Sequence, residues 1–329
     1  MSSLEEQVRG IAESYVRTKK DALLTIGIIH KEQQHIFAYG DNPLRKDVDP
    51  REIVYEIGSI SKVFTTSILA HLLQAGAMAL GHSISRYWPE IGEGHPITIE
   101  QLAAHTSGLP SYSILRGARL IFAPKAERDP YCQYTVKELE KRIKAQVSRC
   151  RSKFRYSNVG MGMLGLLMAR HEKTTFEQLL RRWITEPLGM SDTFISISPS
   201  RRDRILPGHS VQGEPVPPLV MNDFQGAGAI RSTAADMLRF LQAHMIAEDG
   251  SALALTHIAR ARMNGRLKVG LGWILDQEWI MHNGATNGFS SYMGFKGRTG
   301  VVVLSNYRNR LIQDSPDRIG YDLLKLLTD

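Results

Sequence analysis

The chain is poor in cysteine, has no long apolar run and shows no internal repeat. Its two cysteines among 329 residues, Cys132 and Cys150, form no Cys-x-x-Cys pair, so they read as plain thiols of a reduced compartment rather than a bridge. No uninterrupted apolar stretch approaches the ~18 residues of a membrane-spanning helix, and no membrane span is expected. The first ten residues, Met1 to Gly10, carry early acids and no apolar core of the kind a signal peptide needs. With Met1 as the native start, the expected compartment is the cytoplasm. Several chemistries also lack their motifs: there is no His-Glu-x-x-His and no Walker loop. There is no Gly-x-Ser-x-Gly either, since Gly208-His-Ser210-Val-Gln212 ends in Gln where an α/β-hydrolase elbow needs Gly. The eleven histidines are scattered, so neither a metal nor another cofactor is expected.

What is present is an ordinary globular composition, 43% hydrophobic and 22% charged, with a length that suggests roughly two domains. The formal charge is +8. The basic excess gathers in Arg142, Lys144, Arg149, Arg151, Lys153 and Arg155, then in Arg181-Arg182 and Arg201-Arg202. Such a surplus can attract nucleic acid. No zinc-finger spacing or aromatic-interleaved basic stripe accompanies it, so it reads as a solvated basic face.

Periodicity gives the layout. Ser3-x-x-Glu6 is a capping box ahead of a helix carrying Leu4, Val8, Ile11, Ala12, Tyr15 and Val16. Ala22 to His30 and His35 to Tyr39 read as a hairpin joined by polar Lys31–Gln34. A helix begins after Ile57-Gly58-Ser59 and stops near Gly76. Residues 81–265 are mostly helical pattern, with helices over Val136–Val147, Val159–Arg170, Thr175–Trp183 and Thr233–His244 and a Pro-rich loop from Pro199 to Pro218. Strand-like runs follow at Lys268–Leu275, Glu278–His282, Ser290–Lys296 and Thr299–Ser305, then a last helix from Pro316. The expected architecture is α+β: an antiparallel sheet flanked by helices from both chain ends (1–80 and 266–329), an inserted helical lobe (81–265), and a ligand site in the cleft between them.

Three segments carry candidate chemistry. In Ser59-Ile-Ser-Lys62 the three-residue spacing puts both side chains on one helical face. A lysine desolvated at a helix start drops below its free value of roughly 10.4 and can take the serine proton. About one Ser-x-x-Lys is expected by chance in such a chain, and the plain alternative is an N-cap serine followed by a surface lysine; the apolar run after Lys62 favours burial. Phe154-Arg-Tyr156-Ser-Asn158 opens a helix, where a phenol can relay protons and an amide can hold a lysine or a substrate carbonyl. Trp279-Ile-Met-His282-Asn-Gly284-Ala285 ends a strand, where glycine admits a substrate backbone and the next N–H can face an oxyanion. Lys268-Val-Gly270 is a decoy of similar spacing, and Tyr307-Arg-Asn309 reads as a surface turn.

In this order the segments resemble the serine β-lactamase and penicillin-binding-protein superfamily, in the branch of class C β-lactamases, D,D-carboxypeptidases and family VIII esterases. The resemblance rests on Glu56-Ile-Gly-Ser59-Ile-Ser-Lys62-Val-Phe-Thr65, His105-Thr-Ser-Gly-Leu-Pro110, Phe154-x-Tyr-Ser-Asn158, Gly226-Ala-Gly-Ala-Ile-Arg-Ser-Thr-Ala-Ala-Asp-Met237 and Asn287-Gly-Phe-Ser-Ser291. It implies Ser59 as acyl-accepting nucleophile, Lys62 as its base, Tyr156 as partner base and leaving-group acid, and Asn158 as the residue that orients Lys62 and binds the substrate amide. It implies an oxyanion hole from the N–H groups of Ser59 and Ala285, and a carboxylate contact at Asn306. Where class C enzymes carry Lys-Thr-Gly this chain has His282-Asn-Gly284, which resembles the peptidase-like members. A small amide, peptide or ester is therefore the expected substrate, with β-lactams as acylating ligands; the alternatives are a true class C-like β-lactamase and a non-catalytic penicillin-binding sensor.

Overall fold

The computed structural model describes residues 4–44, 48–111, 135–144, 153–277, 279–309 and 315–328. Ser3 of the predicted capping box and both cysteines lie outside the described residues, as does much of the Arg142–Arg155 basic cluster. Helix α1 (Leu4–Val16) leads into the hairpin of β1 (Leu23–His30) and β2 (Gln33–Gly40). Lys31 and Glu32 turn it at φ of 49° and 69°. Two residues at positive φ match the twist of the strands, so Gln33 and Gln34 join β2 rather than the turn.

A short strand, β3 (Val54–Glu56), runs through a 3-10 turn (Gly58–Ile60) into α2 (Ser61–Gln74). The helical segments α3 (Ile99–Ala103), α4 (Val136–Lys144), α5 (Asn158–His171) and α6 (Phe176–Leu180) follow, then the two-residue strands β4 (Gly208–His209) and β5 (Pro215–Val216). Strand β6 (Arg231–Thr233) precedes α7 (Ala234–Met245) and α8 (Ala252–Leu255). The chain closes with β7 (Ala261–Arg262), β8 (Lys268–Val269), β9 (Ile274–Asp276), β10 (Trp279–Ala285), β11 (Ser290–Lys296), β12 (Thr299–Ser305) and α9 (Pro316–Thr328). No helix among the described residues is long and apolar enough to cross a membrane.

Eight strands form one antiparallel sheet in the order β2-β1-β12-β11-β10-β9-β8-β7. Period-two alternation gives it two apolar faces. Leu24, Ile26, Ile28, Val301 and Val303 face α1 and α9, where they pack with Val8, Ala12, Leu323 and Leu324. Val302 and Leu304 face the larger core with α2 and α7. There Phe64 of α2 stacks on Phe240 of α7 with ring centroids 3.8 Å apart. Helix α2 has eleven of its fourteen residues buried, the mark of a helix enclosed on all sides rather than one with a wet face.

Two expectations are corrected. The predicted strand 268–275 is a hairpin, because Gly270–Trp273 turns the chain: Gly270 N–H donates to Trp273 O at 2.9 Å and Gly272 sits at φ 77°, a conformation glycine adopts without strain. The expected lobe boundary near 265 also shifts. Helix α7 packs on β1 and β12 and β7 joins the sheet, so the chain returns to the sheet lobe by Ala234.

The lobes are tied by the pairing of β3 with β6, which sets Glu56 opposite Arg231. Both side chains are at most 5% exposed and Nη2 of Arg231 lies 3.2 Å from Oε1 of Glu56. The guanidinium also donates to Ile195 O at 3.0 Å and Leu219 O at 2.6 Å, while Leu219 N–H donates to Glu56 at 2.7 Å. Removing one member of a buried pair strands the other charge in the interior. Glu56→Ala should therefore lower unfolding stability by about 3–5 kcal/mol, read as a shifted urea midpoint, with a smaller loss when Glu56 and Arg231 are both replaced by apolar residues.

Candidate active site

Ser59 lies in the 3-10 turn that feeds α2, and Lys62 is the second residue of that helix. One tight turn therefore brings Lys62 Nζ within 2.8 Å of Ser59 Oγ. From the helical lobe, Tyr156 reaches in just ahead of α5 and its hydroxyl donates to the same Oγ at 2.8 Å. The Lys62 nitrogen also lies 5.1 Å from the centre of the Tyr156 ring. Two polar side chains, one of them 97 residues away in the chain, thus converge on one hydroxyl.

Lys62 is 0% exposed. Its other partner is the carbonyl of Ala227, 2.6 Å away. That carbonyl is fixed because the segment around it is stitched to α2: Thr65 Oγ1 donates to Gly226 O at 2.7 Å and Ile230 N–H donates to Ser61 Oγ at 3.2 Å. Burial disfavours the ammonium and pushes Lys62 down to about 7. Burial pushes Tyr156 the other way, up to about 12. At neutral pH a large share of Lys62 is free amine while the phenol keeps its proton. The bonds then form one directed chain, Tyr156 O–H to Ser59 O–H to the lone pair of Lys62.

The third wall is the end of β10. A β-carbon on Gly58 would stand 2.6 Å from Ala285 N, and one on Gly284 would stand 2.0 Å from Ile57 O. Only glycine at both places lets the serine turn lie directly against the strand, and Gly58 also needs its φ of 51°. Ser291 Oγ donates to Ile57 O at 2.9 Å and fastens the contact. His282 is buried, and its Nδ1 donates to the Asn283 carbonyl at 2.6 Å, leaving Nε2 as an acceptor. Burial first, then the charge of Lys62, push its pKa down to about 3, so it lines the site as a neutral ring. Asn158 stands at the first turn of α5, with Nδ2 donating to Ser111 Oγ at 3.1 Å. Lys268 of the decoy motif is exposed on β8, two strands away from β10.

Two assignments change. Asn306 is 0% exposed and its amide is consumed in tying backbone together: Oδ1 accepts from Leu23 N–H at 2.8 Å, and Nδ2 donates to Asp21 O at 3.0 Å and Pro207 O at 3.1 Å. It fastens β1 to β12 and offers no face to a substrate carboxylate. Tyr307 is no surface residue either; it is buried, stacks on His209 at 4.8 Å and donates its hydroxyl to Lys20 O. The Ala227 carbonyl is the contributor that sequence reasoning missed, since a backbone group has no residue-type signature; Gly226-Ala-Gly-Ala was its only trace.

Comparisons with known proteins give the family and the fold. The sequence model of the β-lactamase family matches residues 8–321. The chain belongs to the β-lactamase family. It is a serine hydrolase of the kind that works through a serine acyl-enzyme. A β-lactamase of Yersinia enterocolitica is 25% identical over 354 residues, covering 92% of this chain and 86% of that one. The D-alanyl-D-alanine-carboxypeptidase/endopeptidase AmpH of Escherichia coli K12 is 27% identical over 232 residues, 68% of this chain and 57% of that one. Among solved structures, a β-lactamase/D-alanine carboxypeptidase from Pseudomonas syringae superposes with a TM-score of 0.82 at 21% identity, covering 98% of this chain and 99% of that one. A class C β-lactamase in complex with cefoxitin gives 0.80 at 21% identity, covering 98% and 99%. These likenesses establish the β-lactamase fold around the cleft.

In this member of the β-lactamase family the closeness of Gly284 to Ile57 is itself testable. Gly284→Ala should slow covalent labelling of the serine by a fluorophosphonate by on the order of 10²-fold, the usual weight of an oxyanion contact, because the added carbon pushes the strand from the serine turn. Labelling time courses at fixed probe concentration check it.

Proposed function

We propose that the protein hydrolyses a small amide, peptide or ester through an acyl-enzyme on Ser59. The observation that carries this reading is the pair of 2.8 Å contacts made on Ser59 Oγ by an enclosed lysine and a protonated tyrosine. As Oγ bonds to the substrate carbonyl carbon, the serine proton passes to the free amine of Lys62. The oxygen that gains charge meets the N–H groups of Ser59 and Ala285. Tyr156 gives its proton to the departing amine or alkoxide and recovers one from the Lys62 ammonium. Water then attacks the ester carbonyl by the reverse proton path, releasing the acid and restoring Ser59. Asn158, at the first turn of α5 and bonded to Ser111, binds the substrate amide.

The His282-Asn283-Gly284 segment favours peptidase- or esterase-like turnover over β-lactamase turnover. A neutral imidazole exerts less pull on a substrate carboxylate than a lysine ammonium would. Similarity to class C β-lactamases supports the second reading, in which β-lactams are turned over rather than only acylating. Rates on p-nitrophenyl butyrate, D-Ala-p-nitroanilide and nitrocefin, measured side by side, separate the two: nitrocefin should be the slowest, and nitrocefin turning over fastest would reverse the order. Ser59→Ala should abolish labelling by fluorescent penicillin and by fluorophosphonate, and unchanged labelling would defeat the assignment.

The pH dependence follows from Lys62. Its folded pKa is depressed to about 7, so the amine that accepts the serine proton fills in as pH rises through that value. Acylation should increase along a limb centred near pH 7 and then level off. Lys62→Arg, which stays charged across this range, should remove the limb and lower acylation by about 10²–10⁴-fold.

A further inference from the structure

His105 stands outside the proton path described above, yet it holds Tyr156 from three directions. It follows α3, and its carbonyl accepts from Arg155 N–H at 2.7 Å. Its ring nitrogen Nδ1 accepts from Ser157 N–H at 3.2 Å. The N–H groups of the residues before and after Tyr156 are thus bound by one residue, and the imidazole packs against the phenol ring with centroids 4.7 Å apart.

The residue meets unusual demands to do this. His105 adopts φ 57°, a left-handed conformation uncommon outside glycine and the Asn, Asp and His side chains that bond locally. Its ring is enclosed, with Nε2 buried and without a hydrogen-bond partner. Because Nδ1 accepts from a backbone N–H, the neutral ring carries its proton on that unpartnered Nε2. An orphaned donor in the interior opposes folding, and such positions concentrate where geometry serves a function. Burial, with Lys62 and His282 adding to it, lowers the pKa of His105 well below the ordinary histidine value, which keeps Nδ1 free to accept.

We propose that His105 is a positioning residue that sets the reach of the Tyr156 hydroxyl, and hence the transfer of its proton to the leaving group. The proposal rests on the acid role of Tyr156 given above. Without the imidazole, Ser157 N–H loses its acceptor and the phenol loses the ring it lies on, while the residue-105 carbonyl still holds Arg155 N–H and Ser157 Oγ still donates to Pro110 O. The hydroxyl is then displaced from Ser59 while Ser59 and Lys62, carried on a different element, stay in register.

A role that acts through Tyr156 leaves a signature that general loosening of the fold does not. An anilide needs a proton on its leaving nitrogen, whereas p-nitrophenolate departs unprotonated. His105→Gly is free of strain at this φ and deletes the acceptor; His105→Asn suits the same φ and returns an oxygen near the place of Nδ1. H105G should lower kcat/KM on D-Ala-p-nitroanilide at least about tenfold more than on p-nitrophenyl butyrate. H105N should recover most of that difference. Tyr156→Phe should show the same split, and H105G added to Y156F should cost little more, because contacting residues of one unit are not additive. If H105G does not fold, His105→Gln, whose amide reaches the place of Nε2 but not Nδ1, supplies the contrast with H105N. Equal losses on both substrates, or full additivity with Y156F, would overturn the positioning role. A Y156F enzyme with no split would instead overturn the acid role of Tyr156, and this proposal with it.

Discussion

Enclosing a lysine that has no carboxylate partner among the described residues is the constraint around which this molecule is organised. Moving an ammonium out of water costs several kcal/mol even after relaxation, and Lys62, with no exposed surface, avoids that cost by giving up its proton near neutral pH. An amine that is neutral beside a serine is a base, so the same burial that weakens the charge creates the reactivity. The enclosure has to be complete, which explains why α2 is buried on nearly every side and why its hydroxyl side chains are all turned to partners within the core.

That enclosure is built from segments far apart in the chain. The Gly226–Ile230 stretch closes one side of the lysine and supplies the Ala227 carbonyl. It is held there by Thr65 and Ser61 of α2 and, further out, by the ion pair of Glu56 with Arg231. The end of β10 closes another side, where Gly58 and Gly284 let two backbones meet at a separation no side chain would allow. The segment bearing Tyr156 closes the third and is moored to the loop after α3. Each wall is a different part of the fold, so the site lies where the sheet lobe and the helical lobe meet.

Much of this was legible in the residue pattern. The strand-like runs of β1, β11 and β12 and the apolar run after Lys62 are statements about burial, and the residue pattern reports that directly. Ser59, Lys62 and Tyr156 were legible because chemistry restricts the residue types that can serve. The failures have a common cause. Asn306 and Tyr307 are polar residues beside a strand end, where a substrate contact and a tie between backbones have the same spelling. The run from Lys268 to Leu275 keeps a strand's composition, while its two glycines turn it into a hairpin.

The sequence by itself determined the α+β order of elements, the strands of a helix-flanked sheet and the serine–lysine turn, since these depend on spacing within a few residues. Only the tertiary structure decided that Lys62 is sealed from water, that the Ala227 carbonyl and the Tyr156 hydroxyl complete its surroundings, and that His105 moors the tyrosine. Those outcomes depend on contacts between segments separated by 52 to 165 residues, and on backbone groups that every residue carries alike. A pattern of side chains cannot encode which peptide carbonyl will face a given amine until the lobes have packed.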